Sequence, residues 1–145
     1  MAIKNETHTV AAALRVGIGS LVRRLRQVQP DGGLSMPETS ALSLLDREGP
    51  TTCSVLAKRE QITPQSMGVT LSTLETRGLL QRRADPDDGR RAVMSLTRAG
   101  RDVLYRQRDA STEVMARALA ATFTAPELEQ LRAAATLLER LAHAL

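Results

Sequence analysis

Apolar residues recur at Val10, Leu14, Ile18, Leu21, Leu25 and Val28, in steps of four and three, the spacing of one stripe along a helix. This predicts a long first helix that stops at Pro30-Asp31-Gly32-Gly33. Ser35 with Glu38 three residues on forms a capping box, and Pro37 is tolerated in the first turn of the helix that follows. That second helix buries Ala41, Leu42 and Leu45 and stops at Gly49-Pro50. A short third helix runs from a Thr52 cap through Val55, Leu56 and Ala57 to about Glu60. Thr63 caps a fourth, with Pro64 at its first position and Gly78 as a left-handed stop.

After Gly78 the period changes. Leu79–Arg83 and Ala92–Leu96 read as two strands joined by the loop 84–91, where Asp88-Gly89 is a hairpin-turn dipeptide and Pro86 keeps the loop from pairing. Thr97 caps a long helix from about Arg98 to Thr122, with Val103, Ala110, Val114, Ala118 and Ala121 along one side. A last helix has its own capping box, Thr124 with Glu127, and carries Leu128, Leu131, Ala135, Leu138, Ala142 and Leu145 at helical spacing. No repeat, low-complexity tract or flexible linker divides the chain.

Composition narrows the chemistry. The 145 residues include one Tyr, one Phe and no Trp, which argues against aromatic cages, sugar-stacking clefts and single-strand nucleic-acid platforms. A single cysteine, Cys53, excludes an internal disulfide framework and a multi-thiolate zinc site. His8 and His143 lie near opposite ends, poor material for a catalytic triad and a weak metal site, so no metal and no cofactor are expected. Met36, Met67, Met94 and Met115 read as core filler. There is no apolar run of about 20 residues and no apolar signal-peptide core at the start, so a soluble, cytoplasmic protein is expected.

The net charge of +4 is unevenly spread. Residues 77–101 hold seven basic and three acidic side chains, and residues 1–34 hold five and two, whereas the remaining stretches are acidic on balance. A dense arginine cluster suggests a polyanionic partner, although basic faces can also be merely solvated.

Three short helices followed by a two-stranded hairpin match a winged helix-turn-helix, a DNA-reading arrangement. The expected architecture is mainly α: a winged helix-turn-helix with a two-stranded β wing, flanked by long N- and C-terminal dimerisation helices. Residues 1–34 would be the first dimerisation helix, 35–97 the DNA-binding region and 98–145 the C-terminal dimerisation helices, in one continuous unit. On the fourth helix, at ~100° per residue, Met67, Leu71 and Leu74 fall within roughly 60° and must face the core. The opposite face presents Gln65, Ser66, Val69, Ser72, Thr73 and Thr76, small except for Gln65 and free of acids. Gln65 and Ser66 are placed to reach base edges and Val69 to pack on a thymine methyl. Merely solvated faces of this kind usually carry Glu and Lys. In the hairpin, Arg82, Arg83, Arg90 and Arg91 converge on a tip that also holds Asp85, Asp87 and Asp88. The expectation is that carboxylates brace the guanidinium groups, and that an extended arginine enters a narrow minor groove. A surface salt-bridge network is the plainer alternative.

Residues 56–100 resemble the multiple-antibiotic-resistance regulators, the MarR family. Asp88-Gly89-Arg90 followed by Leu96-Thr97 and Gly100 fits the family's wing signature Asp-x-Arg…Leu-Thr-x-x-Gly, and Leu56-Ala57, Thr63 and Arg77-Gly78-Leu79 are in register. The resemblance implies a homodimer on pseudo-palindromic double-stranded DNA, most often a repressor, released by a small aromatic or anionic effector. Val69 and Thr73 stand where many members place arginine, so readout would use shorter side chains. Gln61 occupies a tight-turn position where glycine is common, and Glu60 one where an apolar residue is usual.

Gln65, Ser66, Val69 and Thr73 are therefore expected to read bases, Thr63 and Arg77 to contact phosphate, and Arg90 to enter the minor groove. Asp88 would brace the wing while Arg83 and Arg91 add phosphate contacts, and Arg15 or Arg101 would serve an effector pocket where the first, second and fifth helices meet. No catalytic residues are expected, and no membrane partner. The alternatives are a winged-helix module binding an acidic protein partner, or a regulator switched by oxidation of Cys53. Peroxide-sensing members carry their cysteine in the first long helix, near tyrosines, and this first helix has neither residue type.

Overall fold

Local capping chemistry starts the helices where the sequence places it. In the computed structural model, which describes residues 2–28 and 32–145, the elements run α1 (Ala2–Gln27), α2 (Met36–Glu48), β1 (Thr51–Thr52), α3 (Cys53–Arg59), α4 (Pro64–Thr76), β2 (Leu80–Ala84), β3 (Ala92–Leu96), α5 (Arg98–Thr122) and α6 (Ala125–Ala144). The capping box of α2 is complete: Glu38 N–H donates to Ser35 Oγ at 3.3 Å and Ser35 N–H to Glu38 Oε2 at 3.0 Å. Thr52 and Thr63 accept the Val55 and Ser66 amides at 3.4 and 3.1 Å, which starts α3 and α4. At α6, both the amide and the hydroxyl of Thr124 donate to Glu127 Oε2, at 2.8 and 3.0 Å. Those two bonds hold the Glu127 carboxyl below the usual carboxylate range.

The α1 helix ends at Gln27, earlier than its apolar stripe predicts, and the Pro30-Asp31 part of the expected stop lies outside the described residues. The sheet has three antiparallel strands in the order β1-β3-β2, one more than the sequence suggests. Leu80 faces Leu96 and Ala84 faces Ala92 in the hairpin, so β2 begins and ends one residue later than expected. On the other edge of β3, Thr51 pairs with Met94 and Thr52 with Val93.

Two compact units divide the chain, one running to Ala110 and one of Ser111–Leu145. The core lies in the first. It joins Leu34, Ala41, Leu42, Leu44 and Leu45 with Leu56, Ala57, Met67, Leu71, Leu74, Leu79, Leu80, Met94 and Leu104. Met67 and Met94 are buried core residues, but Met36 is 40% exposed, because its place at the N-terminus of α2 leaves it above the core rather than in it. On α1, Val10, Ile18 and Leu21 remain exposed, as does Val28 just beyond its end. In the second unit α6 buries no residue, and Phe123, Leu128, Leu131, Leu138 and Leu141 stand in solvent.

Two backbone positions define the strained points. Gln61 has φ 54°, the left-handed region that costs a non-glycine residue roughly 1–2 kcal/mol. Gly100 sits at the base of α5, and a Cβ there would lie 1.9 Å from the Leu79 carbonyl oxygen. The signature glycine is thus a steric requirement. Gly100→Ala should destabilise the fold by about 2–4 kcal/mol, since backbone and not a pliable side chain opposes the methyl. Gln61→Gly should act oppositely, raising stability by about 0.5–1 kcal/mol as relief of strain exceeds the entropy of glycine. Chemical denaturation of the two variants beside the parent chain measures both signs.

Candidate nucleic-acid interface

The α4 helix divides as its periodicity requires. Met67, Leu71 and Leu74 are buried, while Gln65, Ser66, Val69, Ser72, Thr73 and Thr76 are exposed, Val69 at 66%. Its hydroxyls are partly committed. Thr73 donates to Val69 O at 3.1 Å and Thr76 to Ser72 O at 2.9 Å, so these oxygens present lone pairs outward. Thr63 caps the helix and its hydroxyl also donates to Ser66 Oγ at 3.0 Å, which leaves the Ser66 proton for an outside acceptor. A base amino group is therefore a natural donor to Thr73, and a base carbonyl or ring nitrogen a natural acceptor from Ser66. The one acid of α4, Glu75, sits on the flank of this face and pairs with Arg82 Nε at 3.3 Å.

The wing tip is closed by its own backbone. The Arg91 N–H donates to Asp88 O and the Asp85 N–H to Arg91 O, each at 3.0 Å, so Gly89 and Arg90 are the central residues of the turn. The turn is shifted by one residue from the Asp88-Gly89 centre expected, and Gly89 needs no positive φ. The bracing of arginines by acids is corrected in the same way. Asp85 accepts the Asp87 amide at 2.9 Å and Asp88 the Arg90 amide at 3.1 Å, so the nearest partners of these carboxylates are loop amides. Only Asp88 also approaches an arginine, Arg91 Nε at 3.8 Å, among the described residues. Arg83 and Arg90 have no side-chain partner there, and Arg83 and Arg82 point to opposite faces of β2 by strand alternation.

Arg77 is placed differently from the other candidates. Its Nη1 lies 2.9 Å from Glu38 Oε2 and its Nη2 donates to Gly32 O at 2.8 Å, so the guanidinium is tied into the corner before α2. The sequence reading missed Glu38 and Gln107, both 8% exposed, as members of that corner. Their partners lie 39 to 73 residues away, beyond any local signal. Cys53 is half-buried, its Sγ 3.5 Å from Pro64 O.

Arg15 and Arg101 are not brought together around a cavity. Arg101 Nε is 3.7 Å from Asp46 Oδ1, and the same carboxylate takes Arg108 at 3.1 Å and the Tyr105 hydroxyl at 3.1 Å. Three surface cavities lie elsewhere. One of about 330 Å³ is lined by Met36, Ile62 and Met67, and one of about 430 Å³ by Arg23 and Arg24. A third, of about 600 Å³, lies between α3 and the wing, against Arg82, Arg90 and Arg91. Among the described residues no three His, Cys, Asp or Glu side chains gather to hold a metal ion, and no helix is long and apolar enough to cross a membrane.

Comparison with known proteins agrees with this geometry. A family model described as the MarR family matches residues 34–92. An HTH-type transcriptional regulator of Mycobacterium bovis is 34% identical over 129 residues, covering 89% of this chain and 90% of the relative. An HTH-type transcriptional repressor from the same organism is 30% identical over 125 residues, covering 86% and 84%. The crystal structure of a transcriptional regulator from Pseudomonas aeruginosa superposes with a TM-score of 0.81 at 36% identity, covering 95% of this chain and 96% of that one.

The ordering of the tip rests on Asp88. Asp88→Ala should speed hydrogen exchange at the Arg90 amide, which loses its acceptor, while lowering global stability by no more than about 1 kcal/mol, the bonds being exposed. Exchange rates read by NMR, with a denaturation curve beside them, check both halves.

Proposed function

The chain belongs to the MarR family of winged helix-turn-helix transcription regulators, which are not enzymes, and from that premise we propose that it is a homodimeric, sequence-specific repressor that binds double-stranded DNA. The observation that carries this reading is the pairing of two surfaces. The exposed face of α4 is short-chained and free of acid, and beside it, among the described residues, the wing leaves Arg83 and Arg90 without a side-chain partner while Asp85 and Asp88 hold the loop. In this reading α4 enters the major groove, with Gln65, Ser66, Val69 and Thr73 against base edges and Thr63 near the phosphate backbone. Arg90, at the turn, reaches the minor groove, where narrow A·T-rich sequence concentrates negative potential. Arg83 and Arg91 add phosphate contacts, and Asp88 holds the turn.

The dimer follows from exposed apolar rows. Val10, Ile18 and Leu21 on α1, and Leu128, Leu131, Leu138 and Leu141 on α6, are more apolar surface than soluble monomers usually leave in water. A two-fold partner covers them in an isologous interface and presents two α4 helices to a pseudo-palindromic operator. An effector, small and aromatic or anionic, releases DNA by preferring one arrangement of the two reading units. Arg15, exposed on α1, is available to such an anion. Arg101 would have to exchange Asp46 for it.

The test is duplex binding at several salt concentrations. Neutralised phosphates release counterions and give a steep inverse dependence, whereas a flat response would sink the DNA reading. Arg90→Ala should weaken binding to the preferred duplex by about 1–3 kcal/mol with an unchanged melting curve; normal binding would remove the wing from the mechanism. Sedimentation at low micromolar concentration should return twice the 15.7 kDa chain mass, and a monomer there would contradict the assembly.

A further inference from the structure

The Gly32–Ser35 corner ahead of α2 is held from three directions. From the end of α4, Arg77 donates to Gly32 O at 2.8 Å and to Glu38 Oε2 at 2.9 Å. The same Glu38 oxygen accepts the Ser35 amide at 3.0 Å. From α5, Gln107 accepts the buried Leu34 N–H at 2.8 Å and donates to Thr39 Oγ1 at 2.9 Å. Thr39 passes its own hydroxyl proton to Ser35 O at 2.9 Å. Helices α2, α4 and α5 thus share one polar joint, and Leu34, at 0% exposure, is fixed at its centre.

An arginine whose two terminal nitrogens are both bonded is a poor phosphate ligand. The Glu38 side chain of this pair is 11% exposed and the Arg77 side chain 32%. Drawing Arg77 away to a phosphate would leave the Glu38 carboxylate largely buried without its cation, a cost that exceeds a typical exposed phosphate contact. The guanidinium is also planar and rigid, so two acceptors on different segments fix both its position and its plane. We propose that Arg77 is a positioning residue and not a phosphate ligand: with Glu38 and Gln107 it locks the C-terminal end of α4 to α2 and α5, and so sets the angle at which α4 meets DNA. This rests on the reading of α4 as the DNA-reading helix. Because Gln107 belongs to α5, a shift of α5 acts on Leu34 and Thr39, two and seven residues from the Gly32 carbonyl that Arg77 holds.

The experiment compares full-length Arg77→Met, Arg77→Lys, Glu38→Gln and the Arg77→Met/Glu38→Gln double variant. The probes are a duplex selected by the parent chain from a randomised pool and a scrambled duplex of equal length. Positioning predicts that Arg77→Met weakens the selected duplex about tenfold, barely affects the scrambled one and leaves the slope of affinity against salt unchanged. Arg77→Lys, which keeps the charge but not the two-pronged reach, should fail to restore selectivity. Glu38→Gln, which keeps an oxygen for the Ser35 amide and so keeps the helix cap, should lower selectivity in the same direction. The double variant should be no worse than Arg77→Met alone. A phosphate ligand would instead weaken both duplexes equally, lower the salt slope by about one and be rescued by lysine, and that result overturns the proposal. Unchanged selectivity in Glu38→Gln overturns it as well. A parent chain that selects no duplex overturns the DNA reading itself, an outcome distinguishable because it precedes any variant.

Discussion

The Leu79 carbonyl and the missing side chain of Gly100 set the geometry on which the functional surface depends. Helix α4 ends at Thr76, and Gly78, with a φ of +71°, turns the chain into β2. The Leu79 carbonyl accepts the Thr97 amide at 3.2 Å, and the Thr97 hydroxyl donates to Gly78 O at 2.7 Å while accepting the Gly100 amide at 3.0 Å. The end of the reading helix, both strands of the wing and the start of α5 therefore share two peptide units. Only a residue without Cβ lets α5 come this close. Wing and helix are consequently one body at their base, and the wing's freedom is confined to its tip.

At that tip, and along the flank of α4, four of the acids are engaged inside the molecule. Glu75 pairs with Arg82, Glu38 with Arg77, and Asp85 and Asp88 accept loop amides. Carboxylates facing a polyanion would ordinarily repel it, but a carboxylate that accepts backbone amides or faces a guanidinium presents a weaker outward field. Among the described residues, the wing side chains left without a partner are Arg83, Arg90 and the Asp87 carboxylate, a cationic balance of one. The net charge of residues 77–101 understates how the charges are deployed, because it counts paired and unpaired groups alike.

Most helix starts were legible because a cap is a local device: Ser35 with Glu38, Thr52, Thr63 and Thr124 each act within three residues. The buried side of α4 was legible for a similar reason, periodicity being a property of one segment. Strand β1 was not, since two residues carry no alternation and its pairing with β3 is decided 43 and 41 residues away. The wing arginines stood out by their density and by the Asp88-Gly89-Arg90 signature, but spacing could not say whether a carboxylate meets a guanidinium or an amide: Asp85 takes an amide, and Asp88 takes an amide and approaches Arg91 as well. Arg77 was expected as a phosphate contact from its position alone, whereas its partners Glu38 and Gly32 come together only through the tertiary fold. Gln61 was readable from type and position, and its φ of 54° confirms the left-handed turn.

Taken with the commitment of Arg77, the short side chains of α4 shift the balance of DNA recognition. Gln65 is the one long polar side chain on the exposed face, and the threonine protons at 73 and 76 are already donated to the helix backbone. In the proposed complex such a face would make few bidentate base contacts, each worth about 1–3 kcal/mol of discrimination, so close fit and thymine-methyl packing at Val69 would supply much of the major-groove selectivity. In that proposal affinity would fall more heavily on Arg83, Arg90 and Arg91, whose phosphate contacts would be electrostatic and salt-sensitive. A reading helix that recognises mainly by fit is sensitive to its angle, because a tilted face loses van der Waals contact along its whole length, whereas a long arginine can re-aim. Rigid anchoring at both ends of α4, by the Thr63 cap and by the Arg77 joint, is the structural counterpart of reading DNA with short side chains.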